Sequence, residues 1–177
     1  MQACSNDEEI IVVDGGSVDG TAEYLKELNE EGKISKFISE KDFGEAHGTN
    51  KAFLLASGEI IKIITDDDVF SFEVIKKCKD FMIKKTNIDI LGFDGYGYNL
   101  AKIDSGFQKS NYIIGYQNWL KTGEAFLFCG LSFMIRRSSL SYLGLFSTNF
   151  KMVDLEYSMR VSALKSNIAF YSGRGFV

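Results

Sequence analysis

Three consecutive carboxylates, Asp66, Asp67 and Asp68, follow the mostly apolar run Ile60-Ile61-Lys62-Ile63-Ile64-Thr65. Two unit charges ~4 Å apart repel by about 1 kcal/mol in water and roughly 4 kcal/mol near a protein surface, so acids crowded at a strand end call for a positive partner. Hard oxygen ligands suit Mg²⁺ or Mn²⁺, which bind through one or two carboxylates and fill their other positions with water and substrate phosphates. A calcium loop is a poor match, because Val69-Phe70-Ser71 brings no spaced acids and no glycine. A solvated acidic turn explains the triplet, taken alone, equally well.

A second segment points the same way. The β-branched run Ile10-Ile11-Val12-Val13 has the length of a buried strand, and Asp14-Gly15-Gly16-Ser17-Val18-Asp19-Gly20-Thr21 follows it ahead of a helical pattern. A turn of small residues there places backbone N–H groups and a short acid at the strand's carboxyl end, where open α/β sheets bind ligands. The glycines do not have the G-x-G-x-x-G spacing of a dinucleotide fingerprint.

Together these segments resemble the inverting nucleotide-sugar glycosyltransferases of the GT-A fold, the large family 2 type that builds bacterial surface polysaccharides. Residues 9–21 are similar to that family's nucleotide-binding strand and turn. Ser39-Glu40-Lys41-Asp42-Phe43-Gly44, continuing to Asn50-Lys51-Ala52, resembles the segment leading into its donor-side helix, and Ala56-Ser57-Gly58-Glu59 the approach to its metal strand. The resemblance implies that Asp14, Gly16, Ser17, Asn50, Lys51 and Asp66 face the donor and that Asp67 and Asp68 serve Mg²⁺ or Mn²⁺. Thr65 stands where many members carry the first acid of D-x-D, which makes Asp67 the candidate direct ligand.

A third segment extends the likeness. Phe128 to Ser138, then Leu143-Gly144-Leu145-Phe146, looks like the family's acceptor-side strand, Arg-rich turn and short helix. Asp154 and Arg160 match an aspartate that opens a helix with an arginine six residues later, while Gly130-Leu131 replaces a His-Gln pair found in many relatives. Displacement at an anomeric carbon needs a base on the acceptor hydroxyl, opposite the leaving nucleoside diphosphate. Asp154 is the candidate, although an acid there also suits a helix N-terminus. Trp119 could stack on a sugar face or pack in the core. Arg136 and Arg137 could meet an anionic acceptor or form a basic turn, and Arg160 belongs with this acceptor-side group. His47 reads as a donor contact or as a packing residue.

The implied partners are a nucleoside-diphosphate sugar and a saccharide or lipid-linked acceptor. Lys plus Arg number 20 against 24 Asp plus Glu, a net charge of −4, which offers no broad attraction for nucleic acid. Cys4, Cys78 and Cys129 are odd in number and lack a C-x-x-C pair, as expected of reduced thiols in the cytoplasm. No basic leader precedes an apolar core, and no segment reaches transmembrane length. Peripheral association with the inner membrane face is compatible with this reading.

The alternation of patterns predicts an α/β GT-A domain, a mixed sheet flanked by helices, over 1–177, with a nucleotide-binding half to about residue 70 and an acceptor-side half from about 71. Helices are expected over 21–31, with Tyr24, Leu25 and Leu28 inward, and over 45–57. Another should open at Ser71, with Val74, Ile75, Cys78, Phe81 and Met82 forming a core stripe. Strands are expected at 88–91 and 126–135, with a hairpin or loop over 92–110. Family members normally begin with a further strand ending in a Pro-x-Tyr-Asn-like turn, and this chain has no proline. The resemblance therefore implies a domain truncated at both ends, with self-association through an exposed sheet edge as a consequence. A non-catalytic nucleotide-sugar-binding or assembly module and a nucleotidyltransferase are the alternatives, the latter lacking a Gly-rich, Lys-bearing triphosphate loop.

Overall fold

The computed structural model describes residues 7–98, 104 and 106–177, so Cys4 and part of the 92–110 loop lie outside the described residues. The chain divides into two compact units, one of residues 1–59 and 145–153 and the other of 60–144 and 154–177.

In the first unit, strands β1 (Ile11–Asp14) and β2 (Lys36–Ser39) run parallel, with Ile11 opposite Lys36 and Asp14 opposite Ser39. Parallel neighbours need a crossover, which helix α1 (Thr21–Glu30) supplies. Leu25 and Leu28, three apart on one helix face, are buried with Ile34 against Ile10, Val12 and Phe37. Tyr24 falls outside that stripe and is 57% exposed, contrary to the expectation from spacing. The helix runs out into Gly32, whose φ of 69° is the left-handed conformation that suits a helix end. Helix α2 (Glu45–Leu55) buries Ala46 and Phe53. Its Asn50 holds residue 146 by both backbone groups, donating to the Phe146 carbonyl at 2.8 Å and accepting its N–H at 2.9 Å.

The second unit is built on a four-stranded sheet of β3 (Ile60–Lys62), β4 (Ile90–Asp94), β7 (Phe133–Arg136) and β8 (Ile168–Arg174), in the order β3-β7-β4-β8. β7 is antiparallel to both neighbours, whereas β4 and β8 are parallel. All five residues of β4 are buried, as a strand covered on both faces must be. The strand expected over 126–135 shortens to Phe133–Arg136. Phe126 and Phe128 are buried and Leu127 is 47% exposed, the alternation of a strand. Yet the Phe126 N–H donates to the Ser162 hydroxyl, and Gly130–Ser132 turns as a short 3₁₀ segment before β7 begins.

Helix α3 (Phe72–Lys84) opens as the sequence predicts, with the Ser71 hydroxyl accepting from Val74 N–H. Cys78 and Met82 are fully buried with Leu91, Phe93, Met134 and Phe176, while Phe81 is 42% exposed at the edge of the stripe. The glycines of β4 and the C-terminal segment admit aromatic rings: a Cβ on Gly175 would lie 2.4 Å from Phe93, and one on Gly92 2.6 Å from Phe170. Strands β5 (Tyr96–Tyr98) and β6 (Phe107–Lys109) form an antiparallel hairpin within the 92–110 segment. Helices α4 (Tyr112–Thr122), α5 (Leu140–Leu143) and α6 (Val153–Ala163) complete the element order.

Arg136 ends β7 and is buried, contrary to its expected place on an acceptor surface. Its Nε donates to the Ile88 carbonyl and its Nη2 to those of Met82 and Lys85, so the guanidinium fork covers the C-terminal carbonyls of α3 and the start of β4. Arg137, next in the chain, is exposed. Arg136→Met leaves buried acceptors without donors at ~1–3 kcal/mol apiece, so urea unfolding should report a loss of about 3 kcal/mol or more. Arg137→Met should stay within about 0.5 kcal/mol of wild type. Equal midpoint shifts for the two variants would refute the assignment.

Candidate functional site

At the carboxyl end of β1, Asp14 collects donors. Gly16 N–H and Ser17 N–H reach its Oδ2 at 3.1 and 3.0 Å, the Ser17 hydroxyl its Oδ1 at 2.5 Å, and the Ser39 hydroxyl its Oδ2 at 2.7 Å. The Ser17 hydroxyl, then Ser39, outweigh burial and hold this carboxyl down at about 2. Gly16 adopts φ 89°, and a Cβ there would lie 3.0 Å from Lys41 N, so this turn needs glycine twice over. Asp42 lies in the neighbouring segment from Ser39 to Ala52, where sequence alone assigns it no role. Its Oδ2 sits 3.2 Å from where a Cβ would be on both Gly15 and Gly48, while its Oδ1 accepts Gly44 N–H at 2.9 Å.

The other donor-side candidates are engaged within the first unit. Lys51 Nζ lies 2.7 Å from Glu40 Oε1, and Asn50 is committed to Phe146. His47 accepts Phe43 N–H at its Nδ1 and packs against that ring. At the base of the unit, Glu9 receives Ser57 N–H, Gly58 N–H and the Ser57 hydroxyl. Burial alone would raise its carboxyl, but these donors and Lys36 bring it down to about 2.

In the second unit the acidic residues form a turn beyond β3. Thr65 donates its hydroxyl to Asp68 Oδ2 at 2.5 Å, which orients one acid, while Asp66 and Asp67 are exposed. The exit from the turn is stapled to the C-terminal segment: Val69 and Val177 exchange both backbone hydrogen bonds, and Ser71 N–H donates to the Gly175 carbonyl. Among the described residues no group of three or more His, Cys, Asp or Glu is placed to hold a metal. An all-protein cage is thus absent there, whereas two exposed carboxylates beside a third, oriented one fit an ion completed by phosphate oxygens and water.

The positive partner demanded by the triplet comes partly from within. Lys62, at the end of β3, sends its ammonium over the rings of Phe70 and Phe93, at 4.8 and 5.6 Å. Loss of hydration lowers this amine to about 7, opposed by Cys129, Asp68 and Cys78. Sequence reasoning missed it, since one lysine in an apolar run reads as an outward-facing strand residue.

Asp154 lies in the first turn of α6, half-buried, with Oδ1 accepting Leu155 N–H at 2.9 Å. A Cβ on Gly130 would be 3.9 Å from its Cβ, so the 3₁₀ turn runs close beside it. The Tyr112 hydroxyl is raised well above its usual range by burial, then by Cys129, Asp154 and Asp94. Arg160 pairs with Glu156 at 2.5 Å and also donates to the Leu143 carbonyl, fixing α6 to the end of α5. Trp119 donates to the Ser162 carbonyl at 3.0 Å and packs against Tyr116 and Phe126. Both side chains are therefore engaged in holding helices together, and of the acceptor-side candidates only Arg137 stands exposed.

Residues 2–144 match the profile described as "Glycosyl transferase family 2". The chain belongs to glycosyl transferase family 2. It is 29% identical over 97 residues to "Putative teichuronic acid biosynthesis glycosyltransferase TuaG" of Bacillus subtilis (strain 168), an alignment covering 54% of this chain and 37% of that protein. The fold is similar to S. aureus TarS 1-349, solved in complex with UDP, at a TM-score of 0.70 and 19% identity, covering 96% of this chain and 50% of that one. It is also similar to the mannosyltransferase PcManGT from Pyrobaculum calidifontis, solved with GDP-Man and Mn²⁺, at a TM-score of 0.64 and 19% identity, covering 93% of this chain and 45% of that one. The fold is therefore of the GT-A type, as the sequence motifs imply, and the chain spans half or less of the length of these relatives. No helix among the described residues is long and apolar enough to cross a membrane.

Asp14 and Glu9 have folded-state values below the ~3.9 and ~4.3 of unfolded chains, so the stability they lend is complete above those values and is lost as pH falls towards 2. The denaturant midpoint should hold from neutral pH to about 5 and then decline steadily to about pH 3. Asp14→Asn should decline less steeply. A wild-type midpoint that stays constant across that acid range would contradict both assignments.

Proposed function

We propose that this protein is a metal-dependent inverting glycosyltransferase acting on a nucleoside-diphosphate sugar, with a saccharide or lipid-linked acceptor. The observation that carries the reading is the acidic turn, exposed at Asp66 and Asp67 yet anchored through Thr65 and Val69, in a chain of glycosyl transferase family 2. The relatives' complexes with UDP and with GDP-Man and Mn²⁺ support the same ligand class.

In the first unit the Asp14 turn, with Gly16, Ser17 and the neighbouring Asp42, holds the nucleoside. Asp14 is already ionised and oriented by four donors, so it can accept from a base or ribose without reorganising. Asn50 and Lys51 support this side by fixing α2. In the second unit Asp67 and Asp68 hold Mg²⁺ or Mn²⁺, and Asp66 faces the donor. When bound, the ion neutralises charge developing on the departing diphosphate. Asp154 takes the acceptor's proton, within ~2.6–3.2 Å of the hydroxyl oxygen as general base catalysis requires. Its bond to Leu155 N–H leaves the second carboxylate oxygen for that contact. Arg137 is the candidate for an anionic acceptor. The family and the described fold are compatible with a cytoplasmic enzyme working at the membrane face.

Asp67→Asn removes one ligand and one repelling charge, so Mn²⁺-dependent binding of UDP or GDP should disappear while thermal stability without metal holds or rises. Calorimetry with and without Mn²⁺ measures this, and an unaltered affinity would eliminate Asp67 as ligand. For Asp154→Asn, sugar transfer should drop ~10²-fold or more while donor affinity stays nearly constant. Transfer at the wild-type rate would exclude Asp154 as base. Metal-dependent nucleotide binding by wild type with no transfer to any acceptor would instead favour a binding module.

A further inference from the structure

The β3–β7 ladder ends at the pair Lys62 and Met134. Beyond it the two chains separate, one entering the acidic turn through Ile63 and the other coming from the 3₁₀ turn Gly130–Ser132. Among the described residues no ladder pair joins them past that point. The Lys62 ammonium spans the fork, donating to the carbonyl of Ile63 on one side and to that of Leu131 on the other, the latter at 3.0 Å. The faces of Phe70 and Phe93 cover it.

An apolar residue would serve packing better at this place. Ile60, two residues earlier and on the same face of the strand, packs against the core of Cys78, Met82 and Phe93. A lysine amine among such neighbours has a hydration penalty that carbonyl acceptors and ring faces only partly offset. That cost is tolerated for the two bonds it makes. Leu131 follows Gly130, which lies against Asp154, and Ile63 leads to the carboxylates.

We propose that Lys62 is a positioning residue, a clamp that holds the acidic turn and the 130–132 turn at a fixed separation and thereby sets the distance from the diphosphate end of the site to Asp154. The terms diphosphate and base rest on the function proposed above; the clamp does not. It makes no contact with substrate. The groups that face it electrostatically are Asp68 from the acidic turn, Cys78 from α3 and Cys129 from the segment before the 3₁₀ turn.

Two cysteines report on the clamp. Cys129 adjoins the 130–132 turn, with its carbonyl accepting from Ser132 N–H and hydroxyl, whereas Cys78 is fully buried and reports unfolding of the unit. In Lys62→Met, alkylation of Cys129, followed by peptide mass spectrometry on the whole chain, should accelerate on the order of ten-fold while Cys78 stays protected. Faster labelling of Cys129 with Cys78 still protected reports a local opening of the 130–132 turn rather than unfolding of the unit. Unchanged or slower Cys129 labelling overturns the clamp. If Lys62→Met fails to fold, Lys62→Gln takes its place, because its amide is too short to span both carbonyls: faster Cys129 labelling again supports the clamp, and unchanged or slower labelling again overturns it. Where wild type binds UDP or GDP with Mn²⁺, the variant's affinity should fall about ten-fold as well. Faster Cys129 labelling in a protein whose wild type binds neither nucleotide leaves the clamp standing and removes the functional reading.

Discussion

The second unit depends on one reversal of direction. β7 lies between β3 and β4 and runs against both, so the chain enters β7 at the same sheet end at which β3, β4 and β8 finish. The acidic turn, Asp94, the 3₁₀ turn and the C-terminal segment are all delivered to that end by strand direction alone. A parallel strand in the place of β7 would have carried the 130–132 turn to the opposite end of the sheet, away from the carboxylates. β7 is buried throughout, and the arginine that ends it is committed to backbone carbonyls.

Negative charge is handled differently in the two units. Asp14 is surrounded by neutral hydroxyl and N–H donors, which stabilise the carboxylate without a counter-ion. The acidic turn has one orienting hydroxyl, a desolvated amine behind it, and two carboxylates left facing solvent. The first carboxylate is stabilised by hydrogen bonds alone, whereas the second group keeps its charge exposed on a backbone held on both flanks.

Much of this was legible in the sequence where local rules and tertiary demands agree. The β-branched run before Asp14, the Ser71 cap and the aspartate in the first turn of α6 each depend on neighbours a few residues away; the cap and the aspartate appear as the residue types imply, and the run forms a strand that is half-buried rather than buried. Expectations failed where distant partners decide. Phe126 to Phe128 alternates like a strand, yet Ser162 takes the N–H that a ladder would have used. Arg136 looks like a surface arginine until the end of α3 and the segment between α3 and β4 bring three carbonyls to it. Lys62 is invisible for the same reason, since Leu131 lies far along the chain. Tyr24, predicted inward by helical spacing, shows that a stripe on paper can be wider than the surface it meets.

The Asp14 turn closes within residues 14–17, with Ser39 its one distant donor. Such a contact costs little loop-closure entropy and can assemble as soon as its strand and helix do. The acidic turn depends on pairings of residue 60 with 136 and of residue 69 with 177, so it cannot take its final form until the last strand has docked. The two turns therefore differ in how much of the chain each needs: one is closed by near neighbours and a single distant serine, the other by pairings that reach to the last residue.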